Sequence, residues 1–302
     1  YNIFMGLHDS AYKYLFQNKR IFRQLITSFV EEDFVGDISL ENMELVDKSF
    51  VSDEFLSRES DLIYKIGLSG QDVYIYILLE FQSTVDKSIP VRMLLYILQF
   101  YDLLLRNSRK GLLPSVFPLL LYNGQADWTV PANVSDCIDK RIADRYIPHF
   151  EYYSIIEKDI PDETLERLGN LVSAVIYLEK QKDEEGLRKA IDKVVDMIRN
   201  ENILDLRMFL TWLKRTAGQK VNQEDIEKIE NIMEVKNMLT SIADKIRQEG
   251  VEKGIEKGIE QGIEKGIEKG KLEDAKRMKD KGYGVDLIVD ITGLEKEVIE
   301  KL

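Results

Sequence analysis

Two acidic residues and an amide stand at strand-like positions where they could form a catalytic centre. Asp61 opens an apolar run that extends to Leu68, and Glu80 and Gln82 end a longer β-rich run that begins at Val73. Because side chains alternate along a strand, Glu80 and Gln82 share one face and Glu80 interrupts an apolar stretch. A carboxylate is rarely placed in such a stretch without a partner or a metal.

The turn-forming residues 69–72 (Ser-Gly-Gln-Asp) join these two runs and predict a β-hairpin. A hairpin would bring Asp61 near the end of the second strand, where Glu80 and Gln82 lie. Two carboxylates beside an amide form a hard-oxygen site that suits Mg²⁺, with Mn²⁺ or Ca²⁺ as alternatives. Such an ion can lower the pKa of a bound water and stabilise a phosphodiester transition state. In the alternative interpretation, Asp61 caps a turn and Glu80 pairs with a lysine at a sheet edge.

The elements needed to position this centre can be predicted from apolar periodicity. Asp9 could cap a helix that runs to about Val30, and residues 44–50 alternate weakly as a strand would. After the two hairpin strands, Pro90 begins a helix and Leu119–Tyr122 forms a buried strand. The order helix, strand, strand, strand, helix, strand predicts a mixed α/β core.

Three regions follow from these patterns: a core over residues 1–150, a helical region over 151–245, and a repeat with a small helical unit over 246–302. Residues 162–199 and 203–245 have the spacing of amphipathic helices. From Gly250 to Gly270 the chain repeats Gly-Ile-Glu-Lys with minor variation.

The four-residue repeat has an unusual consequence for a helix. Each repeat advances by ~400°, so the isoleucine row drifts by ~40° per repeat. Glycine costs about 1 kcal/mol per helical position, and Glu–Lys pairs return only part of it, so an isolated helix would be marginal. The repeat could be a solvated spacer or a helix through which copies of the chain associate.

Several motifs occur in a defined order along the first 130 residues. They are the segments His8–Lys13, Glu59–Lys65, Tyr74–Ser83, Pro90–Tyr96 and Leu119–Gly124. Together with the Gly-Ile-Glu-Lys tail, they resemble the Rpn group of recombination-promoting nucleases within the PD-(D/E)XK nuclease superfamily.

The resemblance implies a restriction-endonuclease-like core and a metal-dependent endonuclease that hydrolyses DNA phosphodiesters in recombination, mobile-element biology or defence. By position, Asp61 and Glu80 would be metal ligands, and Gln82 would stand where the superfamily usually has lysine. Loss of that cation could be compensated by Lys13 or Lys65. Asp9 is a further candidate from the first helix, with a helix cap as its alternative role.

Composition sets limits on these hypotheses. The 42 basic and 54 acidic residues give a net charge of −12, which argues against a generic basic nucleic-acid binder. A local basic groove for DNA could be formed by basic residues on the first helix, which are Lys13, Lys19, Arg20 and Arg23, and by others that follow the second helix, which are Arg106, Arg109 and Lys110.

One cysteine and two histidines exclude a cysteine-based zinc site and a histidine-rich metal centre. We see no export signal and no segment that could span a membrane, so we expect a cytoplasmic protein.

A second hypothesis takes Gln82, the acidic charge and the repeat as its evidence. The chain would then be a binding protein with a nuclease-like core of weak or absent catalytic activity, and it would assemble through its helical tail.

Overall fold

The computed structural model describes residues 8–46, 62–68, 70–80, 85–106, 111–181, 184–216 and 222–302. The chain divides into two compact units, Tyr1–Ala243 and Asp244–Leu302. The first unit contains a mixed α/β core, which confirms the fold class predicted from the order of apolar patterns.

A five-stranded sheet with the order β1-β2-β3-β4-β5 forms the centre of the first unit. Its strands are Met43–Leu45, Leu62–Leu68, Gln71–Glu80, Ser115–Tyr122 and Tyr153–Ile156, numbered β1 to β5 in chain order. The pairs β1–β2 and β2–β3 are antiparallel, whereas β3–β4 and β4–β5 are parallel. The carboxyl ends of β3, β4 and β5 therefore lie at one edge of the sheet.

The predicted hairpin is confirmed by the β2–β3 ladder, which runs from Leu62 opposite Ile77 to Leu68 opposite Gln71. Gly70 in the connection has a φ of 80°, a left-handed conformation that glycine adopts without steric cost.

Two helices cover one face of the sheet, α1 (His8–Phe16) and α2 (Lys19–Phe29). The prediction of a single helix from Asp9 to Val30 is wrong, because the helical conformation is interrupted at Gln17 and Asn18. The Asn18 side chain caps α2 by accepting hydrogen bonds from the backbone amides of Arg20 at 2.8 Å and Ile21 at 3.4 Å.

Tyr64 on β2 fixes this layer to the sheet. Its ring stacks on Phe22 of α2 at a centroid distance of 3.8 Å. Its hydroxyl donates to the carbonyl oxygens of Phe16 at 2.8 Å and Gln17 at 3.0 Å. It therefore supplies a hydrogen-bond donor to backbone carbonyls that the end of α1 leaves without a helical partner.

The helix α3 (Ile89–Arg106) packs on the opposite face. Its buried side chains form one cluster with the sheet and a later loop: Ile63, Tyr74, Ile89, Met93, Tyr96, Phe100, Leu120, Tyr122 and Tyr152. The sheet is thus enclosed by helices on both faces, which is the layered arrangement expected for a buried parallel segment.

The region predicted as two long amphipathic stretches consists of shorter helices. They are α4 (Asp162–Leu168), α5 (Leu171–Glu179), α6 (Glu184–Ile198), α7 (Ile203–Thr216) and α8 (Gln223–Glu227). The break after α4 falls at Gly169, whose φ of 54° ends the helix, and Asn170 then starts α5 with a capping box.

The next helix, α9, extends from Ile232 to Asp280 and spans the division between the units. In the second unit, its end packs with α10 (Val285–Thr292) and α11 (Lys296–Lys301) around Ala275, Ile288 and Ile299.

The repeat lies within α9, which continues beyond it on both sides. The expectation of a marginal helix concerned this segment in isolation. Both ends of α9 contain buried side chains. These are Leu239 and Ile242 before the repeat and Ala275 after it. Because extending a helix costs less than nucleating one, these anchored ends can support the glycine-containing segment between them. The isoleucines of the repeat are each more than half exposed.

Among the helices of the described residues, none is both long enough and apolar enough to cross a membrane.

The role of Tyr64 can be tested by Tyr64→Phe, which removes only the hydroxyl. Two helix-terminal carbonyls lose their donor, so we expect the free energy of unfolding to fall by about 1–2 kcal/mol in urea titrations. Tyr146→Phe, at an exposed position of the same unit, should change it by less than about 0.5 kcal/mol. Equal losses in the two variants would contradict this role.

Candidate functional site

Polar residues converge on the edge where the three parallel strands end. Glu80 is the last residue of β3 and its Cα pairs with that of Tyr122, the last residue of β4. Asn123 follows β4, and Glu157 follows β5. Carboxyl ends of parallel strands are common positions for ligand-binding and catalytic groups, so this edge is the candidate functional site.

Four of the predicted site residues lie wholly or partly outside the described residues. Asp61 and Gln82 lie outside the described residues. Glu80 ends β3 and Asp9 belongs to α1, and their side chains also lie outside the described part. The proximity of Asp61 and Glu80 therefore stays a prediction.

The structure does place the two candidate lysines. Lys65 pairs with Tyr74, six residues before the end of β3, which corresponds to about 20 Å along a strand. Its ammonium group forms an ion pair with Asp72 at 3.2 Å. Lys65 is therefore not brought to the edge that contains the Glu80 backbone, whereas Lys13 is buried on α1 next to Tyr12.

Tyr12 connects α1 to the carboxyl ends of the sheet. Its hydroxyl lies 3.0 Å from Oε1 and 3.2 Å from Oε2 of Glu157, and 2.8 Å from Oε2 of Glu179 at the end of α5. The Asn123 amide donates to the same Glu179 oxygen at 2.7 Å. These four residues form one hydrogen-bonded cluster at the ends of β4, β5 and α5, which we call the carboxyl-pair cluster; Tyr12 and Glu157 are buried in it, and Glu179 and Asn123 are half-buried.

Burial raises the pKa values of two members of the carboxyl-pair cluster, Glu157 and Tyr12. Glu157 is 2% exposed, and this burial, reinforced by the negative charge of Glu179, raises the pKa of Glu157 well above its ordinary value. Burial also raises the pKa of Tyr12, with the two carboxylates as the next causes. A neutral Glu157 and a neutral Tyr12 can then share hydrogen bonds with Glu179 without bringing two negative charges together.

Aromatic contacts hold Tyr12 in this position. Its ring lies edge-on to Trp212 of α7 at 6.0 Å and tilted against Phe16 at 5.5 Å. Trp212 is fully buried, so the Tyr12 ring is fixed on its apolar side while its hydroxyl reaches the carboxyl groups.

A second polar contact fastens the α1–α2 turn to the start of α7. Asp205 is buried there and accepts from Asn18 at 2.9 Å and from Arg20 at 3.0 Å. The position of α1 over the sheet edge therefore depends on α5 and α7 as well as on the sheet.

The basic residues proposed for a DNA groove are partly engaged within the chain. Arg20 pairs with Asp205, Arg23 donates to the carbonyl of Ile38 at 2.9 Å, and Arg106 pairs with Asp102. Lys19, Arg20 and Arg23 nevertheless lie at exposed positions of α2. Arg109 and Lys110 lie outside the described residues.

The sequence analysis did not predict the carboxyl-pair cluster, although its two glutamates each lie at the end of an apolar run of the sequence. Glu157 directly follows the apolar segment of β5, and Glu179 ends the wholly buried run of α5. An acid attached to a buried run needs a partner, but periodicity does not identify Tyr12, 145 and 167 residues away.

Within the described residues, no group of three or more histidine, cysteine, aspartate or glutamate side chains could hold a metal ion. The contacts of Glu157 and Glu179 described above are hydrogen bonds with Tyr12 and Asn123. The carboxyl-pair cluster thus positions α1, and the predicted ligands Asp61 and Glu80 are separate from it in the sequence.

The family match and the relatives of this chain indicate the same protein family. A sequence model described as "Putative transposase, YhgA-like" matches residues 7–207. The chain is 23% identical over 298 residues to the recombination-promoting nuclease RpnA of Escherichia coli strain K12, covering 96% of this chain and 94% of that protein. No solved structure matches the chain.

Two further relatives come from the same species. The chain is 21% identical over 249 residues to the recombination-promoting nuclease RpnD of Escherichia coli O157:H7, which covers 80% of this chain and 94% of that protein. It is 23% identical over 250 residues to the inactive recombination-promoting nuclease-like protein RpnE of strain K12, covering 80% and 82%.

The raised pKa of Glu157 predicts a pH dependence of stability. The unfolded chain releases this proton near pH 4.5 but the folded chain keeps it, so stability falls as pH rises above 4.5 towards the raised pKa. Glu157→Gln keeps the shape and removes the titration. We expect its stability relative to the unsubstituted protein to increase with pH by up to about 1 kcal/mol per pH unit.

Urea titrations between about pH 5 and about pH 8 measure this difference. The exposed Glu151→Gln is the matched control and should show a constant difference across the same range. A Glu157→Gln difference that is equally constant would contradict proton retention by Glu157.

Proposed function

Because the chain belongs to the YhgA-like transposase family, we propose that it is a metal-dependent DNA endonuclease that acts in recombination, mobile-element biology or defence. The family match over residues 7–207 and the relatives named recombination-promoting nucleases support a nuclease role. They also confirm the resemblance to the Rpn group that the sequence motifs indicated.

The observation that carries the proposal is the position of Glu80 at the end of a central strand. β3 pairs with the antiparallel hairpin strand on one side and with the parallel strand β4 on the other. A mixed sheet enclosed by α1, α2 and α3 supports a restriction-endonuclease-like core. Polar groups following β4 and β5 lie at the same edge as the end of β3.

We assign Asp61 and Glu80 as the ligands of a Mg²⁺ ion, with Mn²⁺ or Ca²⁺ as alternatives. The donor set fits by type, because carboxylates are the oxygen ligands that these cations prefer. When bound, such an ion supplies a water of lowered pKa and charge stabilisation at a phosphodiester. Gln82 would orient a water or a phosphate oxygen through its amide, since it carries no charge.

Gln82 stands where related nucleases usually have a lysine, and we assign the role of that positive charge to Lys13 in preference to Lys65. Lys13 follows Tyr12 on α1, which the carboxyl-pair cluster holds at the carboxyl edge of the sheet. Lys65 pairs with Tyr74, at a distance from the end of β3 that its side chain does not span. Asp9 lies one helical turn before Lys13 and is the remaining candidate on α1.

DNA is the proposed partner, and its contact surface would include the exposed basic positions of α2: Lys19, Arg20 and Arg23. A local cluster is sufficient because phosphate contacts depend on nearby cations and not on the net charge of −12. The single cysteine is compatible with the reducing cytoplasm, where we propose that the protein acts.

A second function is favoured by one relative and one residue. RpnE is named an inactive nuclease-like protein, and Gln82 removes a charge from the proposed centre. In that case the chain is a binding protein with a nuclease-type core that assembles through its helical tail. Calorimetric titration with Mg²⁺ and Mn²⁺ separates the two functions, because this second one requires no bound ion.

The nuclease proposal predicts that purified protein nicks or cleaves plasmid DNA with Mg²⁺ and that Asp61→Asn and Glu80→Gln each lower the rate by at least about a hundredfold. Asp72→Asn on the same hairpin is the control, because Asp72 pairs with Lys65 near the turn, and it should retain activity. Gln82→Lys should retain or increase the rate, since it restores a cation.

Calorimetry on the same variants should show loss of Mg²⁺ binding in Asp61→Asn and unchanged binding in Asp72→Asn. Cleavage that persists in Asp61→Asn at the rate of the unsubstituted protein would refute the assigned ligands.

A further inference from the structure

Positive charge is concentrated on three helices that contact one another, α1, α2 and α7. Their acidic residues are Asp9 and Asp205. Their basic residues are Lys13, Lys19, Arg20, Arg23, Arg207, Lys214 and Arg215. In a chain with a net charge of −12, this local excess of cations is a surface of the kind that attracts phosphates of a nucleic acid.

The carboxylate of Asp205 does not offset this charge at the surface. It is buried at the start of α7 and accepts from the Nε of Arg20 at 3.0 Å and from the Asn18 amide at 2.9 Å. The Arg20 side chain is nevertheless 55% exposed. A buried carboxylate thus holds Arg20 from the inside, while much of the guanidinium side chain faces solvent.

At the other end of α7, Arg215 stacks on an aromatic ring of α1. Its Cζ lies 4.1 Å from the centroid of the Tyr14 ring. Arg215 is exposed, whereas Tyr14 and the neighbouring Lys214 are half-buried. Stacking engages the flat face of the guanidinium and leaves its N–H groups, which lie in the plane, directed away from the ring. Arg215 is therefore held in an orientation from which it can donate two hydrogen bonds to a phosphate.

The stacked pair lies close to the proposed catalytic edge along α1. Tyr14 directly follows Lys13, the lysine assigned to the nuclease centre. On the other side of Lys13, Tyr12 belongs to the carboxyl-pair cluster, which holds α1 at the ends of the strands. A nucleic acid bound at this edge would therefore pass near the ring of Tyr14.

The two anchored arginines are spaced so that one duplex can contact both. The ten residues of α7 from Asp205, the partner of Arg20, to Arg215 span about 15 Å. A DNA duplex presents a phosphate charge about every 1.7 Å along its axis, so phosphates of the same duplex lie within reach of both side chains.

We propose that the outer surface of α1 and α7 binds the phosphate backbone of duplex DNA, with Lys214 and Arg215 at one end and Arg20 at the other. We call it the α1–α7 basic surface. Arg215 contacts a phosphate, and Tyr14 acts as a positioning residue for Arg215. This inference rests on DNA as the partner in the proposed function, and it extends the contact surface from α2 to a helix that follows residue 200.

Fluorescence anisotropy with a short labelled duplex tests this surface. The measurements are made in EDTA, so that hydrolysis does not contribute. Arg215→Gln should weaken binding about three- to tenfold, equally for two unrelated sequences, because phosphate contacts carry no base information. The slope of log affinity against log salt concentration should fall by about 0.9, the value for one phosphate contact. Arg167→Gln, at an exposed position of α4, is the matched control and should change neither quantity.

A double-mutant cycle tests the positioning role of Tyr14. Tyr14→Phe keeps the ring and should bind DNA as the unsubstituted protein does. Tyr14→Ala should weaken binding, but it should have no further effect in the Arg215→Gln chain, because the guanidinium that it positions is already absent. Equal midpoints of urea unfolding in Arg215→Gln and the unsubstituted protein would show that the fold is retained.

The result separates this surface from the nuclease centre. Unchanged affinity and salt dependence in Arg215→Gln would overturn the α1–α7 basic surface, even if plasmid cleavage with Mg²⁺ is observed. Failure of the unsubstituted protein to bind duplex DNA would overturn it as well. Loss of affinity in Arg215→Gln without any cleavage by the unsubstituted protein would support this surface and contradict the nuclease proposal.

Discussion

The burial of the Glu157 carboxyl beside Glu179 is the constraint on which the arrangement of the α/β core depends. Two carboxylates in a water-excluded site repel each other strongly unless one of them carries a proton. Tyr12 donates into this pair and Asn123 supports it, so α1, β4, β5 and α5 meet at one point. These hydrogen bonds hold Tyr12, and with it α1, at the carboxyl ends of the strands.

This constraint links the helical region to the proposed catalytic edge. α7 contributes Trp212 against the Tyr12 ring and Asp205 against the turn between α1 and α2. The helices after residue 160 therefore fix an element from the start of the chain, which itself carries Asp9 and Lys13. A nuclease centre at this edge would thus be completed by residues distant in sequence from its proposed metal ligands.

Local patterns were sufficient to predict the hairpin and α3. The apolar alternation on either side of Ser-Gly-Gln-Asp predicts β2 and β3, and the spacing after Pro90 predicts α3. Such elements are encoded by periodicity and turn residues that lie within about ten positions of each other.

Other features depend on contacts that a local pattern does not contain. The break at Asn18 needs the Tyr64 hydroxyl from β2 as well as its own cap. The carboxyl-pair cluster joins Tyr12 to residues 145 and 167 positions away. The helix through the repeat depends on packed residues at both of its ends, whereas the local glycine content argues against it. The relation of Asp61 to Glu80 stays a prediction because Asp61 lies outside the described residues.

Direct observation of the Glu157 carboxyl carbon by ¹³C NMR tests the central claim, with Glu157→Gln used to assign its resonance. The account predicts that this carbon keeps the chemical shift of a protonated carboxyl group at pH values well above 4.5, because burial raises the pKa of Glu157. A resonance that moves to the carboxylate position near pH 4.5, the ordinary value for glutamate, would contradict it.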